Sequence, residues 1–357
     1  AYVTPNPDAQ PPAWKNRFLI DGGTANFRSG WQSDDRVLVL MGENGSARKT
    51  LHDHVDGTSF VMGAYGDLLV TDTGYYKPDV RNNAVTANAP SHNLILIDGK
   101  GAAEKGLLND WGDRDAFIEN TIDGENLSYA ESRQEYDSAQ ITRGVAFVRE
   151  RYFVMADRLD PEETTSHEYR YRIHAYAGYD LDGEVILETH GPHIKRENGS
   201  LQVFTASSAE STVVEEPPYT PLYVPHVHSL ISGEGDHTVT DSVSTGIAPD
   251  FLTILAPYKT GTISGEHAPL SVTPIECSRG AAWLIEGEEH LDIAWIREND
   301  APTTLTLPSG DTIETDAAFV LLGLSDSLGF LSRGSYLKRN GESRLTADAN
   351  SQITATE

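Results

Sequence analysis

His52 and His54 stand two residues apart in the run Leu51-His-Asp-His-Val-Asp56, and their type and spacing suit metal chemistry. In an extended strand, side chains i and i+2 leave the backbone on one face, so a strand here would put both imidazoles into the same space. Asp72 closes the strand-like run Leu68-Leu-Val-Thr-Asp72, and His92 opens another, Asn93-Leu-Ile-Leu-Ile97. A carboxylate at a strand end and an imidazole at a strand start can reach that space from neighbouring strands. Two imidazoles and one carboxylate are a common three-ligand set for zinc, with a fourth position left open. The ordinary alternative is a surface or core pair, since a chain of 357 residues with 12 His will bring some of them close in sequence by chance.

The whole stretch from Leu51 to Gly99 resembles the β-sheet half of the heparinase II/III family of polysaccharide lyases. That family's pattern is H-x-H-x-D, then Ser-Phe, a strand, Asp-x-Gly with a following Tyr, and later His-Asn before a strand ending in Asp-Gly. Here these are His52-Asp-His54-Val-Asp56, Ser59-Phe60, Asp72-Thr-Gly74 with Tyr75 and Tyr76, and His92-Asn93 leading to Asp98-Gly99. Tyrosine comes early, or doubled, after the glycine.

The resemblance implies β-elimination on uronic-acid polysaccharides. That reaction needs the C5 carboxylate neutralised, a base for the C5 proton and an acid for the leaving oxygen. It implies that His52 is the catalytic histidine of the β half. It also implies that His54, Asp72 and His92 hold a structural zinc or similar divalent metal, and that Asn93 orients a ligand from behind. In the family the remaining acid/base groups come from a helical toroid, and this sequence has no helical run that could form one. Two readings stand. One is a carbohydrate-active β domain that works on an acidic polysaccharide with a toroid-bearing chain. The other is a non-catalytic secreted structural or binding subunit that assembles as a homo-oligomer or filament, through its N-terminal arm.

Charge and composition narrow the partners. Lys and Arg number 27 against 54 Asp and Glu, a net charge of −27, which argues against nucleic acid and anionic membranes. The same charge sits awkwardly with a polyanionic sugar unless basic side chains cluster locally. Arg143, Arg149, Arg151, Arg170 and Arg172, on adjacent strand candidates, could form such a patch, or could be paired with the many carboxylates. One cysteine, Cys277, excludes an internal disulfide framework. No apolar run approaches the ~20 residues of a membrane span. The start at Ala1 without Met fits a mature chain after signal cleavage or a piece of a longer precursor, and an extracellular or periplasmic place.

The elements that must position these residues read as strands. Four prolines in the first twelve residues make residues 1–16 an extended arm. Phe27–Trp31 and Arg36–Met41 form an opening pair. Val145–Val148 and Tyr152–Met155 form a hairpin around Arg149-Glu-Arg151. From Glu168 to Tyr176, Tyr169, Tyr171, Ile173 and Ala175 alternate with Arg170, Arg172 and His174. Further strands are expected at 185–188, 201–205, 251–255, 281–285, 293–297, 303–307, 317–322 and 336–339. Gly101 to Tyr129, with Asp110, Asp113 and Asp115 around Trp111, reads as a solvated acidic loop. The expected class is all-β. It comprises a large antiparallel two-sheet β-sandwich over residues 17–258 and a smaller C-terminal β subdomain over 259–357. A second H-x-H, His226 and His228 with His237 beyond, reads better as a polar strand and turn than as a second metal site. Gly-x-Ser-x-Gly, Gly-x-Gly-x-x-Gly and P-loop patterns are absent, which removes serine-hydrolase and nucleotide chemistry from the first choices.

Overall fold

The computed structural model describes residues 10–44, 54–73, 87–102, 115–175, 183–216, 238–298, 301–348 and 351–356. Among them every regular element is a β-strand except one 3-10 turn, Ala89–Ser91. Paired strands run antiparallel throughout.

The hairpin at the centre shows how sequence sets the layers. Strands Ala139–Val148 and Tyr152–Pro161 pair with Val148 opposite Tyr152. Arg149 and Glu150 take φ of 54° and 50°, the two left-handed positions of a tight hairpin turn, closed by Arg151 N–H to the Val148 carbonyl at 2.9 Å. Because side chains alternate, Phe147, Phe153 and Met155 face one core, whereas Val148, Tyr152 and Val154 face another. A strand covered on both faces has no polar side, which is why these runs are apolar without interruption.

These two strands lie inside an eight-stranded sheet that ends in the edge strands Glu184–Glu188 and Ala116–Asp123. One face meets two smaller sheets. The first is a five-stranded meander running from Arg17–Leu19 to Asp67–Val70, and the second contains His167–Ala175 and Ile95–Ile97. Phe27, Leu38 and Phe60 from the first and Tyr169, Tyr171 and Ile173 from the second fill this core. The Thr71 N–H to His174 carbonyl bond, 3.0 Å, joins the two sheets edge to edge. The other face of the eight-stranded sheet meets a six-stranded sheet through Trp283, Ile285, Phe319 and Phe330. The far side of that sheet packs on a final four-stranded sheet through Trp295, Leu305, Ile313 and Leu337. Burial of each such side chain contributes about 1.5–3 kcal/mol. The protein is an all-β antiparallel sandwich, with the C-terminal sheets stacked on the outer face of the large sheet.

The strands expected at 36–41, 145–148, 152–155, 251–255 and 336–339 are present, some longer than read, and the one expected at 168–176 is present as His167–Ala175, with Tyr176 outside the described residues. The acidic-loop reading of 101–129 is overturned in its second half, where Ala116–Asp123 and Leu127–Glu135 are strands of the large sheet. Ala116–Asp123 is an edge strand with only Ala116 and Ile118 buried, so its Glu, Asn and Asp masked the alternation. Asp110, Trp111 and Asp113 lie outside the described residues. Of the arm, residues 10–16 are irregular and lie on their own chain. Trp14 packs edge-on against Trp31 at 5.0 Å, and its carbonyl accepts from Trp31 Nε1 at 3.0 Å. The Asn16 amide donates to Asp123 at 2.7 Å and to Ser128 at 2.8 Å. Among the described residues no helix is long and apolar enough to cross a membrane.

Candidate metal centre

His54, Asp72 and His92 come together. One ligating atom from each lies within 4.8 Å of the others. The His54 and His92 rings are 5.3 Å apart at 42°, and His92 Nδ1 meets Asp72 Oδ2 at 2.6 Å. His54, the described member of the H-x-H pair, sits in irregular chain ahead of the Gly57-Thr58 turn and not in the expected strand. Backbone hydrogen bonds position this segment in place of a ladder. Val55 N–H reaches the Ala87 carbonyl at 2.8 Å, and Val55 packs with Ala89, Leu94 and Leu96 in a small apolar cluster. Gly57 is required because a Cβ there would come within 2.6 Å of the Gln134 amide and 2.8 Å of Ala116 Cβ. Thr58, at φ 68°, is held by its N–H on the Met41 carbonyl and by Arg143 on its own carbonyl.

His92 follows the 3-10 turn, its N–H on the Ala89 carbonyl at 3.0 Å. It is fully buried, and its Nε2 has no hydrogen-bond partner. Burial pulls the His92 pKa down, but the charge and hydrogen bond of Asp72, with Asp56 behind, outweigh it, so the imidazole lies above its ordinary value. A buried imidazole nitrogen with no partner is costly, and a cation would satisfy it. The donor set of two imidazoles and a carboxylate, with that nitrogen, fits an ion of the zinc class.

Asn93 does not touch a ligand side chain. Its amide donates to the Phe60 carbonyl at 2.8 Å and the Thr71 carbonyl at 2.5 Å, and its Oδ1 accepts from His174 N–H at 2.8 Å. It therefore fixes the backbone beside Asp72 and beside His92 itself. Arg143, also fully buried, does the same from the large sheet. It binds the carbonyls of Thr58 and Asn93 at 2.8 Å each and faces Asp157 at 2.6 and 3.3 Å. Burial opposes both charges of this pair. Asp157 and Tyr171 nonetheless hold the Arg143 pKa above its ordinary value, and the forked contact is that of an ion pair. Phe60 and Tyr171 rings flank the guanidinium at 5.5 and 5.2 Å. Arg143's bracing role left no motif in the sequence; the only sign was a charged residue inside an apolar strand.

His52, Gly74, Tyr75, Tyr76, His226, His228 and His237 lie outside the described residues. The five arginines read as a basic patch do not form one. Arg143 pairs with Asp157, Arg149 with Asp292 and Asp326, Arg172 with Asp241, and Arg170 with Glu168, Glu216 and Asp241. Only Arg151 of the five lacks a carboxylate partner, and it is buried. The surplus of acids captured the others.

Structurally the chain is similar to heparan sulfate lyase HepC from Pedobacter heparinus, at 16% identity and TM-score 0.60, over 80% of this chain and 43% of that one. It is also similar to a heparinase III gene product, at 14% identity and TM-score 0.61, over 88% of this chain and 43% of that one. The chain thus spans less than half the length of these structures, and at such identities the likeness shows a shared fold. No curated protein matches the chain. The family model described as Heparinase II/III-like, C-terminal, matches residues 14–242. On that match, which takes in His54, Asp72, His92 and the sheets that hold them, the chain belongs to the heparinase II/III-like C-terminal family.

Proposed function

We propose that this chain is the β half of a polysaccharide lyase acting on uronate-containing glycans by β-elimination, in a secreted setting, together with a helical part carried on a longer form of the chain or on a partner. In this reading residues 17–258 form the lyase-like unit and residues 259–357 a supporting one. The observation that carries it is the convergence of His54, Asp72 and His92 within a segment that the family model covers. These three residues would hold a zinc-class ion, whose contribution when bound is charge and rigidity at the end of the 54–58 segment. His52, two residues before His54, would be the group that exchanges a proton with the sugar. Asn93 and Arg143 keep the surrounding backbone in place.

Uronate lyases leave an unsaturated uronate end that absorbs in the ultraviolet, so activity is directly measurable. This chain alone is expected to be inactive, because a proton-transfer residue without its partner loses most of its effect. Combined with a toroid-bearing chain it should gain activity, and His52→Ala should abolish that gain. Activity of the isolated chain that is lost in His52→Ala would refute the two-part reading. No activity with any such partner, in metal-loaded protein, would refute the lyase reading. Metal analysis is a separate check: about one zinc-class ion per chain is expected, with nitrogen–metal distances near 2.0–2.1 Å.

A further inference from the structure

The five-stranded sheet is an outer layer of the stack, and one of its faces has no cover. Phe27, Leu38 and Phe60 turn into the core, so Arg28, Val37, Val39 and Val61, next to them along the strands, point the other way. On that outer face Val37, Val39, Met41 and Val61 are half-buried, and Leu68 is 41% exposed. None of these five belongs to a buried apolar cluster or packs against one. An antiparallel sheet that faces water ordinarily carries polar side chains there. The last four-stranded sheet, at the opposite end of the stack, does so. Thr304, Glu314 and Lys338 lie side by side on its outer face, with Lys338 paired to Glu314 at 3.4 Å. The five-stranded sheet breaks that rule.

Charge on this face also departs from the rest of the chain. The protein has 54 acidic residues against 27 basic ones, yet no outward strand position of this face is Asp, Glu or Lys. Its charges are Arg17 and Arg28. Among the described residues neither guanidinium has a hydrogen bond or a carboxylate partner. Arg17 lies over the Trp14 ring at 5.7 Å, and Arg28 over the Trp31 ring at 4.6 Å. Surfaces that associate are enriched in Trp, Met and Arg and depleted in Lys, Glu and Asp, which is the composition found here. At the other end of the same strands, in the turn that follows Arg17–Leu19, Asp21 is exposed and likewise has no partner among the described residues.

We propose that this face joins two copies of the chain, stacked sheet on sheet about a twofold axis that crosses the strands at the level of Val39. Register places Arg17, Asn26, Val39 and Val61 in one row. The Arg28 and Val37 row lies on one side of it, and the Thr24 and Met41 row, which leads to the Asp21 turn, on the other. Such an axis lays Val39 and Val61 on their own counterparts and brings Arg28 of each copy towards Asp21 of the partner subunit. One surface thus carries both halves of its own complement, as a twofold interface requires. Five strands at ~4.8 Å spacing and six residues at ~3.4 Å give a face of roughly 350 Å². With Trp14 and Trp31 at its rim, two copies bury about 1,000 Å², the low end of specific interfaces, so the association is weak. The net charge of −27 opposes contact between copies, and an acid-free face is where that opposition is least, since physiological salt screens charges beyond about 8 Å. The inference goes beyond the lyase reading and needs neither a metal nor a helical part.

The test is sedimentation equilibrium of the whole chain from about 5 μM to about 1 mM, in about 0.15 M salt with EDTA present. A reversible dimer with Kd of about 10–100 μM is expected, with no larger species. Val39→Glu should weaken it at least about tenfold while melting stays close to that of the parent, because the Val39 side chain lies outside the core. Arg28→Asp and Asp21→Arg should each weaken association about three- to tenfold, and both together in one chain should restore it, since the pairs re-form with their charges exchanged. Neither position is buried, so the exchange remains readable should Val39→Glu fail to fold. A chain that stays monomeric at about 1 mM would assign the face to some other partner and overturn the proposal. Association unchanged in folded Val39→Glu, growth beyond two copies, or a double exchange no tighter than the single variants would each overturn it as well.

Discussion

Replacing Asn93 by alanine removes three hydrogen bonds from a place water does not reach. Asn93 is fully buried, and its side chain serves the carbonyls of Phe60 and Thr71 and the N–H of His174. Each of these groups belongs to a different segment. Leaving a buried backbone group unsatisfied costs about 1–3 kcal/mol, so three such groups set a ceiling near 9 kcal/mol. Carbonyls keep a second lone pair for sheet bonding, and a water molecule can enter the space left by the amide, so about 3–5 kcal/mol is the expected loss. Urea denaturation of the parent and Asn93→Ala, both in EDTA, measures it without any contribution from metal. The same variant titrated with zinc should bind about 10–100-fold more weakly, because Asp72 and His92 flank the backbone that Asn93 fixes. A loss under about 1 kcal/mol together with unchanged metal affinity would refute the claim that this amide holds the centre together.

Other outcomes follow from the same reasoning. Asp157→Asn leaves the Arg143 guanidinium buried without its counter-charge and should destabilise the fold by about 3–5 kcal/mol in urea denaturation. Chelation should lower the melting temperature of metal-loaded parent protein and leave His54→Ala unaffected, as read by calorimetry. Asp250 is buried, and desolvation, reinforced by Asp160 and Glu298 against Leu159 N–H and Arg158, raises its pKa to about 8. The native state therefore holds a proton that the unfolded chain releases near pH 4, and stability from this group falls from about pH 4 to pH 8 by up to about 1.4 kcal/mol per unit. Asp250→Asn keeps an acceptor for Leu159 N–H, so its stability advantage over the parent should grow across that window; an advantage constant with pH would contradict it. Deleting residues 1–14 should lower melting slightly, through loss of the Trp14–Trp31 contact, and sizing at low and high salt tests whether the arm also joins copies of the chain.

The cluster of His54, Asp72 and His92 was legible because three donors of the right type stood in a recognisable order, even though the physical argument for His54 does not hold. The i, i+2 argument needs a strand to aim the pair, but residues 54–56 are irregular, held by Val55 on Ala87 and by the turn at Gly57-Thr58. Strands covered on both faces, such as Tyr152–Pro161, announced themselves as apolar runs. His167–Ala175 did so by alternation, with Tyr169, Tyr171 and Ile173 in the core and Arg170 and Arg172 outside it. Edge strands such as Ala116–Asp123 could not, because one face and most of their polar residues look outward. Arg143 was visible only as a charge in the wrong place. Its partner Asp157 is opposite it across a hairpin that the sequence did reveal, so the pair was within reach of a register argument.

The fate of the arginines bears on any encounter with an acidic polysaccharide. Arg143 and Arg172 are buried in ion pairs, Arg149 and Arg333 are held by Asp292 and Glu131, and Arg170 is surrounded by three carboxylates. These cations are spent on holding sheets together and cannot also neutralise a substrate's charge. Screening at physiological salt shortens the reach of the net −27 to about 8 Å but does not reverse its sign close to the surface. A polyanionic chain approaching the described surface therefore meets repulsion unless another cation intervenes. If the protein acts on such a glycan, the neutralising charge must come from a metal or from a basic groove on the helical part proposed above. The last of these predicts that binding of the glycan by the two-part assembly weakens steeply with salt, whereas this chain alone shows no binding that low salt improves. A salt-sensitive complex between the isolated chain and heparan sulfate would show that its own cations are not spent after all.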